Sequence, residues 1–288
     1  NKKECGYILK IYIALPLMMK SMITLLSFIF PDFFVKKAYQ QLTHPKFYPY
    51  RAHEKDILEA ALVTDYTFKK GNIKMYKWSG GPKKILVIHG WEGRVTHFSM
   101  LIQHLIKAGY TVYGFDAPSH GLSDKVETSL FDFIDLVGEM IARVQPAIAI
   151  SHSFGAVATT YSLAQNSHLQ LDKYVLITCP DKFLERIEAV AHDFGLSKGI
   201  VDKLIIKIEQ DYNLDVGRLN VSEFVKEVKV RKAYILHDQD DRQLPLSQAM
   251  HVHENWSNSA LEIVRGTGHF KILQDEGVIA KILNFSAS

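Results

Sequence analysis

Short apolar runs alternate with longer segments of helical periodicity along most of this chain. The runs Lys84-Ile85-Leu86-Val87-Ile88, Thr111 to Phe115, Ala147-Ile148-Ala149-Ile150, Tyr174 to Ile177, Ala233-Tyr234-Ile235-Leu236 and Leu261-Glu262-Ile263-Val264 are each too short for a buried helix and predict strands. Between them the pattern predicts helices near 96–108, ended by Gly109, near 128–143, ended before Pro146, and from Ala156 onward. Two further strands, 65–68 and 74–78, flank the charged turn Lys69-Lys70-Gly71-Asn72 and predict a hairpin entering the same sheet. Strands that alternate with helices at this spacing imply an α/β fold: a mostly parallel central sheet, right-handed crossovers and helices on both faces.

Two stretches depart from that rhythm. About fifty residues separate the strand ending at Ile177 from the one starting at Ala233, and they hold two or three helical patterns, marked by Phe183, Leu184, Ile187 and Val190 and by Leu204, Ile205 and Ile208. The other is Tyr7 to Phe34, very apolar but divided by Lys10, Pro16, Lys20 and Pro31 into runs of about ten, too short to span a bilayer. No small-residue cleavage site follows a single apolar core, so it does not read as a signal peptide. The expectation is an N-terminal helical segment over 1–63, packed on a core domain over 64–288, with the apolar faces of 7–34 hidden. Peripheral membrane contact or a homodimer through residues 7–34 is the other use open to it. Asn1 in place of Met leaves open whether sequence precedes it.

Composition narrows the picture a little. A chain of 288 residues, 47% hydrophobic, can bury one large core. A formal net charge of +3 without any basic, aromatic-interleaved run excludes nucleic acid as a partner. Cys5 and Cys179 form no disulfide framework, so a cytoplasmic protein, with membrane association open, is expected. Cys179, ending a strand, is expected to be buried packing. His251 and His253, two apart on a predicted helix, point in different directions and make a poor metal pair. No phosphate-binding glycine loop, metal constellation or nicotinamide fingerprint is present, so no cofactor is expected.

Candidate chemistry gathers at the predicted strand ends. Ser151-His152-Ser153-Phe154-Gly155 lies between a strand and a helix, where a serine is lifted out of the sheet on a tight turn whose neighbours must be small. Gly155 meets that need, and Ser151 stands where the G-x-S-x-G pattern has its first glycine. Downstream, His237-Asp238-Gln239-Asp240-Asp241 follows one strand and Gly266-Thr267-Gly268-His269 the next, giving the order serine, acid, histidine. Upstream, His89-Gly90-Trp91-Glu92-Gly93 is a sharp turn able to present an amide, and Asp116 to Ser123 forms a further loop on the same rim. His89, His152 and His120 are expected to hold backbone geometry, and Glu92 either tunes the site or faces water.

These segments, from about Thr64 to the end, resemble the α/β-hydrolase superfamily, serine hydrolase type. The resemblance implies Ser153 as nucleophile, Asp241 as acid, His269 as base, and the Trp91 and Phe154 amides as the oxyanion hole. The resemblance favours Asp241 over Asp238 and Asp240, because the family's acid usually lies four residues past that histidine, here His237, and four before the proline, here Pro245. The resemblance also implies that about 181–230 forms a small helical cap. The expected activity is cleavage of an ester-type bond in a small-molecule acyl substrate, with thioesters and amides open. The alternatives are a non-catalytic α/β-hydrolase that binds a ligand, and a membrane-surface lipase or acyltransferase.

Overall fold

Each buried apolar run becomes a strand of one sheet. The computed structural model describes residues 19–288, and within them the strands are β1 (Leu62–Phe68), β2 (Gly71–Trp78), β3 (Lys83–Ile88), β4 (Tyr110–Asp116), β5 (Ile148–His152), β6 (Leu171–Ile177), β7 (Val230–Asp238) and β8 (Ser259–Val264). Their spatial order is β1-β2-β4-β3-β5-β6-β7-β8. The hairpin β1–β2 and the β2–β4 pair are antiparallel, and all later neighbours are parallel. After β3 the chain moves outward to β4 and then returns to the other side of β3 as β5. The direction of winding therefore reverses at the C-terminal ends of β3 and β5, where open α/β sheets form a crevice.

The helices are α1 (Pro31–Thr43), α2 (Ala52–Glu59), α3 (Ser99–Lys107), α4 (Leu130–Val144), α5 (Phe154–Gln165), α6 (Phe183–Asp193), α7 (Lys198–Tyr212), α8 (Val221–Phe224), α9 (Leu246–Glu254), α10 (Gly268–Lys271) and α11 (Glu276–Ala287); residues 19–29 are also helical. One large core takes Ile85 and Val87 from β3, Ile148 and Ile150 from β5, Leu101 and Leu105 from α3, and Ile279 and Ile282 from α11. Leu86 and Ile88, equally buried, point to the opposite face because side chains alternate along a strand. Helix α4 lays Phe133, Leu136, Val137, Met140 and Val144 inward. It starts where the Ser129 hydroxyl accepts from the Asp132 amide and stops at Gln145, whose left-handed φ ends the helix.

The chain divides into two compact units, Asn1–Leu42 with Lys182–Leu219, and Thr43–Asp181 with Asn220–Ser288. The sheet lies in the second. In the first, α6 and α7 realise the two helical patterns read between β6 and β7 and bury Ile187, Ile200, Val201, Leu204 and Ile208. The Tyr7 to Phe34 stretch falls partly outside the described residues. Its described part is helical as expected, but its apolar face is not hidden: Met22, Leu25, Phe28, Ile29, Phe30 and Phe33 are all exposed. On its inward side Thr24 and Ser27 make hydrogen bonds, detailed below, beside the half-buried Ile23 and Leu26.

One buried ion pair fixes the segment ahead of the sheet. Arg94 Nη2 and Nε donate to the two Glu54 carboxylate oxygens at 2.8 and 3.0 Å, and both side chains are almost fully buried. Thr96 Oγ1 and the Arg51 amide donate to the same carboxylate, while Arg94 also donates to the Tyr48 and Pro49 carbonyls. Burial works against the Glu54 charge, yet the Arg94, Arg51 and Thr96 hydrogen bonds outweigh it and hold the carboxyl down at about 2. Glu54→Gln should destabilise the protein by about 3–5 kcal/mol, because it leaves the buried Arg94 charge without its partner. A urea midpoint within a few tenths molar of wild type would contradict this.

Candidate active site

The site begins with a backbone conformation that most residues avoid. Ser153 follows β5 directly and has φ 52° and ψ −122°, the sharp turn expected between strand and helix. The turn is held by the Ser153 amide donating to the Ile177 carbonyl at 2.9 Å and by the Ala156 amide donating to Ser153 O at 2.9 Å. No side chain fits at 155: a Cβ on Gly155 would lie 2.3 Å from His89 O and 2.8 Å from Ile88 O. At the other flank Ser151, in place of the pattern's glycine, is fully buried, and its hydroxyl is hydrogen-bonded to Thr159 Oγ1 at 2.9 Å. Thr159 in turn donates to Gly155 O at 2.7 Å, so the extra oxygen is absorbed into the first turns of α5.

Ser153, His269 and Asp241 are joined by hydrogen bonds. His269 Nδ1 lies 2.7 Å from Asp241 Oδ2, and Nε2 lies 3.0 Å from Ser153 Oγ. A carboxylate can only accept, so Nδ1 carries the proton and the Nε2 lone pair accepts from the serine hydroxyl. Asp241 Oδ1 also accepts from the Gln243 and Leu244 amides. Burial raises the Asp241 pKa, but the His269 contact and these amides prevail and lower it below the ordinary carboxylate value.

The other two aspartates of the segment do different work. Asp238 Oδ2 accepts from the Thr267 hydroxyl and from the amides of Thr267 and Gly268, and Asp240 Oδ2 accepts from the Gly266 amide. They pin the loop that carries His269 without touching its ring. His152 adds a tie from the serine side, its Nε2–H donating to the His269 backbone carbonyl at 2.8 Å. No local pattern announces that contact across 117 positions of sequence.

Opposite the serine, residues 90–93 form a turn closed by the Gly93 amide on Gly90 O at 3.0 Å, with Glu92 left-handed at φ 57°. That bond leaves the Trp91 N–H unused, and Phe154, as first residue of α5, has an N–H with no intrahelical acceptor. Gly90 packs against the serine turn: a Cβ there would lie 3.2 Å from both His152 O and Ser153 Cβ. The Trp91 and Phe154 rings meet edge to face at 5.6 Å. Two histidines brace this turn. His89 Nδ1–H donates to Gly90 O at 2.7 Å while Nε2 accepts from the Ala117 amide, and His120 Nε2 accepts from the Glu92 amide at 3.1 Å while Nδ1–H donates to Pro118 O. The Glu92 carboxylate accepts from the Tyr48 hydroxyl and the Lys46 amide, both at 3.3 Å.

The remaining singled-out residues take structural partners. Asp116 is buried, accepting from the Val95 and Leu122 amides and the Tyr76 hydroxyl, and Ser123 donates to Asp116 O. His251 bonds to Asp181 and His253 to Ser259, so they diverge as their spacing requires. Cys179 is buried and unpaired as a thiol; burial pushes its pKa up. Cys5 lies outside the described residues.

Burial pushes His89, His120 and His152 down to about 3, so all three are neutral struts in the fold. In the unfolded chain each would take a proton near 6.5. The unfolded state therefore binds more protons between about 6.5 and 3, and stability falls as pH drops through that window, with a slope approaching about 1.4 kcal/mol per pH unit for each histidine. Urea midpoints should decline steadily from pH 7 to pH 5; a flat profile would mean that these imidazoles are protonated in place.

Residues 85–201 match the model of the alpha/beta hydrolase family. No curated protein matches the chain. Among solved structures, an esterase of Pyrococcus furiosus is similar with a TM-score of 0.63 and 16% identity, covering 86% of this chain and 97% of its own. An esterase of Exiguobacterium antarcticum has a TM-score of 0.63 and 16% identity over 79% of this chain and 100% of its own. A thioesterase domain from the curacin biosynthetic pathway has a TM-score of 0.60 and 16% identity over 80% of this chain and 100% of its own. Identities at this level speak for fold, and substrate is a separate matter. With its reversed winding at β3, its serine turn after β5 and the match over 85–201, this chain has the α/β-hydrolase fold.

Proposed function

We propose that the protein is a serine hydrolase that cleaves an ester-type bond through an acyl-enzyme on Ser153. One observation carries this reading: the Ser153 hydroxyl, the His269 ring and the Asp241 carboxylate form a continuous chain at 3.0 and 2.7 Å. His269 Nε2 takes the hydroxyl proton as Ser153 Oγ attacks the substrate carbonyl, and Asp241 orients the ring and stabilises the imidazolium that forms. The developing oxyanion accepts from the Trp91 and Phe154 amides, whose donors are free of the turn and helix bonds. His269 then gives its proton to the leaving alcohol. In the second half, water attacks the acyl-enzyme, gives a proton to His269, and Ser153 leaves with that proton restored. Esterases and a thioesterase are among the proteins of similar fold, and a thiol or an amine would leave by the same mechanism as an alcohol.

A fluorophosphonate probe should label Ser153, and Ser153→Ala should abolish both labelling and hydrolysis of short p-nitrophenyl esters with an unchanged circular dichroism spectrum. Labelling of another serine, or turnover that survives the alanine, overturns the proposal.

The aspartates separate by function. Asp241→Asn should lower kcat by on the order of 10⁴, because the amide cannot hold the same tautomer, while Asp240→Asn should stay within a few-fold of wild type. Equal losses in the two variants would mean that the acid is misassigned.

A further inference from the structure

The helix over residues 19–29 is amphipathic, but it is mounted the wrong way round for a helix in water. Its polar stripe faces the protein. Thr24 Oγ1 donates to Gly195 O at 2.7 Å, Ser27 Oγ is hydrogen-bonded to Ser197 Oγ at 3.0 Å in a buried contact, and Lys20 pairs with Asp193 at 4.0 Å. The approach is close, since a Cβ on Gly195 would lie 2.8 Å from Lys20 O. Positions 20, 24 and 27 lie on one side of a helix, so the residues about 180° around it must face away. Those are apolar, Met22, Leu25 and Ile29, with Phe28 on the flank and Phe30 and Phe33 following; they are 55, 63, 58, 69, 57 and 56% exposed in that order. A surface helix ordinarily turns its apolar stripe to the core, and a contiguous outward patch of this kind marks a docking surface.

Charge identifies what docks. Residues 1–42 hold six lysines against Glu4 and Asp32, a net of +4, whereas the rest of the chain has 28 basic and 29 acidic residues, a net of −1. The whole positive excess of the protein is thus interleaved with its most apolar segment. Asp32, the one acid between Glu4 and Glu54, is already paired with Lys203 at 3.6 Å. Exposed Lys36 and Lys37 follow the patch, Lys37 Nζ standing 6.0 Å from the Phe33 ring centroid. A second copy meeting this one about a two-fold axis would bring two such segments together, like charge against like. An anionic lipid surface satisfies both features: acyl chains receive the phenylalanines and headgroups receive the lysines.

We propose that the apolar face of residues 22–33, rimmed by Lys36 and Lys37, docks this protein on anionic membrane surfaces as an interfacial helix. No helix among the described residues is long and apolar enough to cross a membrane, and the docking is in the plane of the interface. The inference does not depend on the hydrolase reading.

The test is flotation of the full chain with vesicles of neutral phosphatidylcholine and with vesicles carrying a third phosphatidylglycerol, alongside light scattering of the lipid-free protein. The protein should float with the anionic vesicles and much less with the neutral ones, and high salt should release it. The double variant Phe28→Ser, Phe33→Ser should lose flotation, and Lys36→Gln with Lys37→Gln should weaken partition by about thirtyfold at low salt. Both variants alter exposed side chains, so an unchanged melting temperature and spectrum would show that the fold is kept. Failure to float with anionic vesicles overturns the proposal. So does a lipid-free dimer that Phe28→Ser, Phe33→Ser converts to monomer, since a second copy would then cover the face; equal binding to neutral vesicles would refute the electrostatic part.

Discussion

The geometry of the site rests on one close approach of backbone to backbone. The first turn of α5 lies so near the end of β3 that the carbonyls of Ile88 and His89 occupy the space a Cβ on Gly155 would need. Because the helix can come this close, Ser153 is forced into its left-handed turn and its hydroxyl is raised above the strand ends. The same approach sets Gly90 against Ser153, so the turn that carries the Trp91 amide is positioned by the serine turn itself. One missing side chain therefore fixes the position of the Ser153 hydroxyl and the opposing amides together.

The ring around that contact is made rigid by groups that carry no charge. His89, His120 and His152 each have a defined tautomer because their partners are backbone amides or carbonyls with a fixed sense of donation. They tie loops after β3, β4, β5 and β8 to one another across long stretches of chain. The buried charges are placed differently. Glu54 and Arg94 neutralise each other beside the turn after β3, and Asp241 is matched to the one imidazole whose lone pair faces the serine hydroxyl. Neutral imidazoles brace, and paired charges sit where a direction must be imposed.

Much of this was legible because function at a strand end constrains short stretches of chain. The small residue at 155, the glycines at 90 and 93, and the order of Ser153, Asp241 and His269 are local or ordinal properties, and the strands that carry them are uniform apolar runs. Selecting Asp241 among three aspartates needed the family's usual spacing to His237 and Pro245; Asp238 and Asp240 accept from the amides of the loop that carries His269. The Glu54–Arg94 pair left no trace, since an ion pair between residues forty apart has no period and no motif. His152 reaching the His269 carbonyl is hidden for the same reason. The helix over 19–29 failed differently: periodicity reveals that a helix has two faces, but only the partners at Gly195 and Ser197 decide which face turns inward.

The conformation of Ser153 also has an evolutionary side. A residue with a Cβ held at φ 52° and ψ −122° stores about 1–3 kcal/mol of strain that glycine at the same place would release. On the proposed mechanism, position 153 is therefore a point where thermostability and reactivity pull in opposite directions. Variants collected for heat resistance alone, with no screen for turnover, would drift toward glycine there and shed the hydroxyl as the protein hardened.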